Sequence, residues 1–324
     1  MVLAGKYREK KIRCFQVTDT KYSVHQDFSK LPLLTLTFGR ISTPVINAVI
    51  ARMRIYQLPF WWRCARRYTI KSTDESTFNI FVFSPEKLPA KAPALIYYHG
   101  GAFALTYTRE HLHYAIRYAR EANCYVIFPD YRLGPVDPFP HGFNDCYVTL
   151  QWVLDNAERL GIDPQRIAVG GDSAGGALAA SVSQRNRDKG DIRLCGQMLV
   201  YPVADCECKT QSAREFGDTL QWNSRSNANM WKMYLRDFKG VAPAYASPIH
   251  GDLHNLPPAY VETAEFDPLH DEGIHYAHVL QDHGCEVQVN ETFGTVHGFD
   301  HVKDSAITSA AVDARIGFLK QIFA

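Results

Sequence analysis

The chain has 324 residues, 46% hydrophobic and 21% charged, with a formal net charge of +1. Near-neutral charge gives no sign of a nucleic-acid or strongly acidic partner. No apolar run approaches the roughly 18 residues of a membrane span, and the opening MVLAGKYREKKIRCF lacks the apolar stretch of a signal peptide.

In chain order, residues 1 to about 67 are rich in helix-compatible segments and carry the aromatic and basic run PFWWRCARRY. From 68 the pattern changes. YTIKS and TFNIFVFSP (77 to 85) predict a hairpin, PALIYYHGG (93 to 101) a buried strand ending in glycines, and HLHYAIRYAREAN (111 to 123) a helix. CYVIFPDYR (124 to 132) is a second buried strand, and 143 to 161 a helix with Gly161 as its stop. RIAVGG, RLCGQMLVYPV (193 to 203), PPAYVETAEFDPL (257 to 269) and CEVQVNETF (285 to 293) predict further strands. Helices fall after Ser173, after Asp271 and over about 304 to 322, and a polar, aromatic insert occupies roughly 206 to 246. Continuous apolar strands alternating with helices predict an α/β fold: a mostly parallel sheet covered on both faces. Ligands in such sheets bind outside the carboxyl ends of the strands. The unusual loops, after 98, 130, 170, 266 and 293, all fall at that edge.

Gly171-Asp172-Ser173-Ala174-Gly175 fits G-x-S-x-G between a strand and a helix. Glycines at 171 and 175 permit a tight turn that holds the Ser173 hydroxyl away from the sheet. The plain alternative, a flexible Gly/Ser loop, suits that context less well. A serine hydroxyl is a weak nucleophile and needs a base, which in turn needs an orienting group. Asp267 ends a predicted strand before Pro268 and is the candidate orienting acid, with a helix N-cap as its structural alternative. Asp271 reads as a cap. His297 is the candidate base, first after the last strand and followed by Gly298; His301 is its rival. His275 and His278 share a helix face without an evident third ligand and read as surface residues. An oxyanion needs fixed N–H donors. Gly100, Gly101 and Ala102 of the HGGAF run, with Ala174 at the helix N-terminus, are the candidates, and His99 is expected to hold that loop by hydrogen bonds.

These residues carry a resemblance. HGGAF, DYRLGPVDPFP, GDSAGG, and DPLHDEG followed by HGF are similar in order and spacing to the motifs of the hormone-sensitive-lipase-like family of α/β-hydrolases, from about 97 to 300. The resemblance implies an α/β-hydrolase fold with a helical cap built from residues 1–67 and the insert at about 206–246, on a catalytic domain of 68–324. It implies a Ser173, Asp267, His297 triad, framed by Gly171, Asp172 and Gly175. It departs from the family at Ala102, where a third glycine is common and a positive φ would be strained. It departs again at Gly134, Val136 and Asp137.

The expectation is a serine carboxylesterase acting on short- to medium-chain acyl esters. Amide or formamide hydrolysis, or a non-catalytic small-molecule receptor, are the alternatives on the same fold. Phe103, Trp61, Trp62 and Trp222 are candidate pocket linings, with cap-to-core packing as the plainer role. Arg63, Arg66 and Arg67 suggest a basic helix face. No cofactor or metal is expected, since Cys206-x-Cys208 lacks a second pair at zinc spacing. The eight dispersed cysteines read as buried thiols of a reducing, cytoplasmic compartment. The partner expected is a small ester, with no nucleic acid and no membrane span; the resemblance leaves a homodimer open.

Overall fold

The structure, a computed structural model, describes residues 21–56, 65–239 and 244–324. Eight strands form one sheet: β1 (Ala65–Lys71), β2 (Thr77–Phe83), β3 (Ala92–Tyr98), β4 (Tyr125–Asp130), β5 (Ile162–Asp172), β6 (Gly196–Val200), β7 (Ala259–Phe266) and β8 (Val287–Val296). The described helices are α1 (Ser42–Tyr56), α2 (Arg109–Glu121), α3 (His141–Asp155), α4 (Ala157–Leu160), α5 (Ala174–Lys189), α6 (Gln211–Glu215), α7 (Ser224–Tyr234), α8 (His270–Asp282) and α9 (Ala306–Phe323). The sheet order is β1-β2-β4-β3-β5-β6-β7-β8. Pairing is antiparallel from β1 to β2 to β4 and parallel from β4 onward.

The central strands read as unbroken apolar runs because both faces of the sheet are covered. All seven residues of β3 are buried, and its side chains alternate between two cores. Leu95 and Tyr97 pack with residues of α2 and α9, whereas Ala94, Ile96 and Tyr98 pack with α3, α5 and α8. Removing a side chain such as Ile96, 0% exposed, would cost about 2–5 kcal/mol through lost transfer energy and the cavity left.

Parallel pairing brings the carboxyl ends of β3, β5, β7 and β8 to one edge. The register places Tyr98 opposite Gly171 and Phe266 opposite Val296. The last pairing depends on a bulge. Ala264 pairs with Thr292, but Phe266 pairs with Val296, so Phe293, Gly294 and Thr295 loop out. Gly294 turns there at φ 71°, a left-handed conformation that glycine adopts without strain. The strand expected to stop at 293 therefore runs on to Val296 and delivers residue 297 next to the end of β7.

Two segments lie over this edge. Asn47 of α1 donates to the Ala104 carbonyl at 2.9 Å and accepts from the Thr106 amide at 3.0 Å. In the β6–β7 connection, Asn223 caps α7 by accepting from Ser226 N at 3.0 Å. Its amide nitrogen donates to the Leu34 carbonyl, and Asn229 donates to that of Leu36. The segment before α1 and the insert are thus joined by side-chain amides, one of which also caps α7.

Arg66 and Arg67, expected on a helix, lie on β1, where they pair with Val82 and Phe81 of β2. The backbone ladder of the hairpin overrides the helical reading. Arg63, Trp61 and Trp62 lie outside the described residues. His275 and His278 are exposed on α8. No described helix is long and apolar enough to cross a membrane.

Candidate active site

Ser173 sits between β5 and α5 with φ 55° and ψ −119°, a backbone conformation costly for a residue with a Cβ. Tertiary bonds hold it there. Its amide donates to the Val200 carbonyl at 2.8 Å, and its carbonyl accepts from Val203 N at 3.2 Å. The flanking glycines answer a packing demand. A Cβ on Gly175 would lie 1.9 Å from the Tyr98 carbonyl oxygen, and one on Gly171 would lie 2.4 Å from the same atom. The helix can approach β3 this closely only because both lack side chains.

His297 follows the bulged β8, and Gly298 after it turns at φ 66°. Its Nε2 lies 2.9 Å from Ser173 Oγ, and its Nδ1 lies 2.6 Å from Asp267 Oδ2. For Nε2 to accept the Ser173 hydroxyl, Nδ1 must carry the proton and donate to Asp267. Asp267 is fully buried, Ser173 is 6% exposed and His297 9%. Asp267 also does the structural work that competed for it in the sequence: Oδ1 accepts from Leu269 N at 2.9 Å at the start of α8. The rivals are engaged elsewhere. Asp271 accepts from Ser212 N and contacts His270 Nδ1, tying α6 to α8. His301 Nδ1 faces Gln221 at 3.3 Å, and burial lowers its pKa.

The loop after β3 is built around Asp172. Its Oδ1 accepts from Tyr97 OH at 2.8 Å, and its Oδ2 accepts from Gly100 N at 3.1 Å. His111 Nδ1 accepts from the Thr108 amide, which leaves the proton on Nε2, 3.2 Å from Asp172 Oδ2. Burial opposes the carboxylate, but these partners outweigh it and hold Asp172 well below the usual carboxylate range. The Gly100 amide, expected among the oxyanion donors, is therefore committed to Asp172. Among the described residues, the amides of Gly101, Ala102 and Ala174 have no protein acceptor. Gly101 has φ 118° and Ala102 φ 58°, so Ala102 holds the strained conformation that a third glycine would relax. His99 Nδ1 contacts the Gly100 carbonyl at 2.6 Å, and its ring stacks on Tyr131 at 4.4 Å.

Trp222 places its ring 5.8 Å from that of His297. Phe103 is buried against the insert, stacked on Tyr234 at 3.8 Å. Arg132 of the DYRLGP run binds Asp145 and Asp74, which fastens the β1–β2 turn to α3.

Several supporting residues carry no sequence signature. Tyr201 packs its ring 4.7 Å from His297 and donates to Asp300 Oδ1 at 2.8 Å. Arg315 and Glu262, both 0% exposed, complete that buried network. Glu262 is one of three polar residues in AYVETAEF, so even its place in a buried strand did not single it out.

Known proteins share this arrangement of chain. Residues 95–301, which contain all the motifs above, match a family described by the alpha/beta hydrolase fold. Carboxylesterase NlhH of Mycobacterium tuberculosis is 36% identical over 294 residues, covering 88% of this chain and 91% of its own. The arylesterase of Saccharolobus solfataricus is 36% identical over 248 residues, 75% of this chain and 79% of its own. Among solved structures, a bacterial heroin esterase superposes with a TM-score of 0.82 at 32% identity, covering 89% of this chain and 94% of that one. The chain belongs to the hormone-sensitive-lipase-like family of α/β-hydrolases and is an enzyme of the ester-hydrolase class.

Proposed function

We propose that the chain is a serine carboxylesterase that cleaves short- to medium-chain acyl esters through an acyl-enzyme on Ser173. The observation that carries this reading is the hydrogen-bond chain from Ser173 Oγ through His297 to buried Asp267, at 2.9 and 2.6 Å. His297 Nε2 takes the hydroxyl proton as Oγ bonds to the ester carbonyl carbon. The carbonyl electron pair moves to oxygen, and the amides of Gly101, Ala102 and Ala174 receive the charge at the positive end of α5. Collapse breaks the carbon–oxygen bond to the alcohol, which leaves with the proton from His297. Water then repeats the sequence on the acyl-enzyme and frees Ser173.

Residues 21–56 and the described residues 206–239 of the insert form the cap in this reading, supported by the bonds from Asn223 and Asn229 to the segment before α1; the expected boundary at 67 moves back, because β1 begins at Ala65 and belongs to the sheet. Trp222 walls the pocket beside His297 and limits the acyl chain. β8 is the last strand of the sheet, and its outer edge ahead of the bulge at Gly294, whose carbonyl is taken by His25 N, is the place for a second copy to pair. The six described cysteines are free, which suits the cytoplasm.

The test is a p-nitrophenyl acetate, butyrate and octanoate series beside a p-nitroanilide, on wild type and Ser173→Ala. The expected result is turnover of the two shorter esters, weaker turnover of octanoate and none of the anilide. Ser173→Ala should lose at least about 10⁴-fold in kcat with an unchanged circular dichroism spectrum. Substantial esterase activity in Ser173→Ala, or a wild type that cleaves only the anilide, would overturn the reading.

A further inference from the structure

The two ends of the β6–β7 insert meet at a cluster that shares no residue with the triad. Asp205 and Cys206 lie where the chain leaves β6, and His250 ends a short 3-10 turn, Pro248–His250, 44 residues after Cys206. His250 Nε2 is 3.9 Å from Cys206 Sγ and 3.3 Å from Asp205 Oδ1. All three donor atoms lie within 4.8 Å of one another. In a tetrahedral zinc site, bond lengths of about 2.3 Å to sulfur and 2.0–2.1 Å to nitrogen and oxygen place S and N about 3.6 Å apart, and N and O about 3.4 Å apart. The two separations found here are within about 0.3 Å of those values.

We propose that Asp205, Cys206 and His250 bind one divalent cation of the zinc class, which clips the two ends of the insert together. A thiolate and an imidazole select zinc-like ions over magnesium or calcium, and three protein ligands leave a fourth position for water. Binding displaces the Cys206 thiol proton to solvent.

The backbone under the cluster is already fixed, so an ion has only side-chain rotations to organise. Cys206 N donates to Ser247 Oγ at 3.0 Å, Ser247 Oγ donates to the Ala204 carbonyl at 3.1 Å, and Ile249 N donates to the same carbonyl at 3.2 Å. Glu272 Oε1 accepts from both Ala204 N and Asp205 N. Asp205 Oδ1 also accepts from Glu207 N at 2.8 Å, and the same oxygen keeps a second lone pair that can ligate a cation. The His250 side chain is 31% exposed and that of Asp205 16%, which opens the cluster to an ion from solvent. Cys208, close in sequence, is not a ligand: its thiol turns to the carbonyls of Asp205 and Cys206 and meets Asn227.

The experiment titrates Co²⁺ into the full chain after chelator stripping under reducing conditions. One equivalent should produce a thiolate-to-cobalt charge-transfer band with the strong visible bands of tetrahedral cobalt, and Zn²⁺ should bleach both. Cys206→Ser should abolish the charge-transfer band, His250→Gln should weaken binding at least about tenfold, and Cys208→Ser should leave both unchanged. Absence of the band at one equivalent, or its persistence in Cys206→Ser, would overturn the proposal. Unchanged affinity in His250→Gln would overturn it equally, by moving the ion to another thiol.

Discussion

Arg315 donates through Nη1 to Asp300 Oδ2 at 2.8 Å, with the two side chains 0% and 5% exposed. The same guanidinium binds Glu262 Oε1 at 2.5 Å and Oε2 at 3.2 Å. Asp300 stands three residues after His297, Glu262 belongs to β7, and Arg315 to α9. One buried cation therefore joins the last helix and the central sheet to the loop that carries the candidate base.

Replacing Arg315 by Met leaves Glu262 and Asp300 buried without their cation. Removing one partner of a buried ionic group typically costs about 3–5 kcal/mol, because desolvation of the others is no longer offset. Urea unfolding of Arg315→Met should show a loss of that order. The triple variant Arg315→Met, Glu262→Gln, Asp300→Asn should recover part of it. A single variant within about 1 kcal/mol of wild type would show that the network does not hold the loop.

Asp267→Asn keeps the shape of the side chain but removes the acceptor that sets the His297 tautomer. In the proposed mechanism kcat should fall about 10⁴-fold with KM little changed. Loss of less than tenfold in steady-state kinetics would remove Asp267 from the proposed triad.

Asp172 ties stability to pH. Its folded pKa lies below the ordinary 3.8: burial alone would raise it, but His111 and Tyr97 outweigh burial. The unfolded chain therefore takes up this proton first as pH falls. The stability Asp172 contributes is fully present above pH 3.8 and is lost as pH drops through the lower folded value. Asp172→Asn should cost about 1.5–3 kcal/mol near neutrality, the range for hydrogen bonds to a charged group. The gap to wild type should narrow below pH 3.8. Denaturant midpoints at pH 7, 5, 4 and 3 measure it, and a gap that widens toward acid contradicts the assignment.

Gly175→Ala should yield no folded enzyme, since its Cβ would lie 1.9 Å from the Tyr98 carbonyl oxygen. Gly217 has nothing within 4 Å of the equivalent position, so Gly217→Ala should fold and melt within about 0.5 kcal/mol of wild type. Soluble expression and thermal melting of the pair check the contrast.

Much of the architecture was legible because its signals are local. The β1–β2 hairpin, the buried strands and the helices after Ser173 and from about Asp271 follow from apolar runs, periodicity and glycine placement. Boundaries moved where a tertiary ladder decided them. β6 is shorter than the apolar run that predicts it. β8 runs past Phe293 because the bulge at Gly294 lets it pair again with β7. The basic run at Arg66 and Arg67 became a strand because β2 was there to pair with it.

By itself the sequence determined the fold class and the family motifs, and it singled out Ser173, Asp267 and His297 as candidate site residues, because each sits in a short pattern whose backbone demands are local. Only the tertiary structure decided that the Gly100 amide goes to Asp172, that Tyr201, Asp300, Glu262 and Arg315 form one buried network beside His297, and that His250 faces Cys206. Those relationships join residues far apart in the chain, and their energies depend on burial and distance. Neither quantity exists until the sheet closes and the strands take their register.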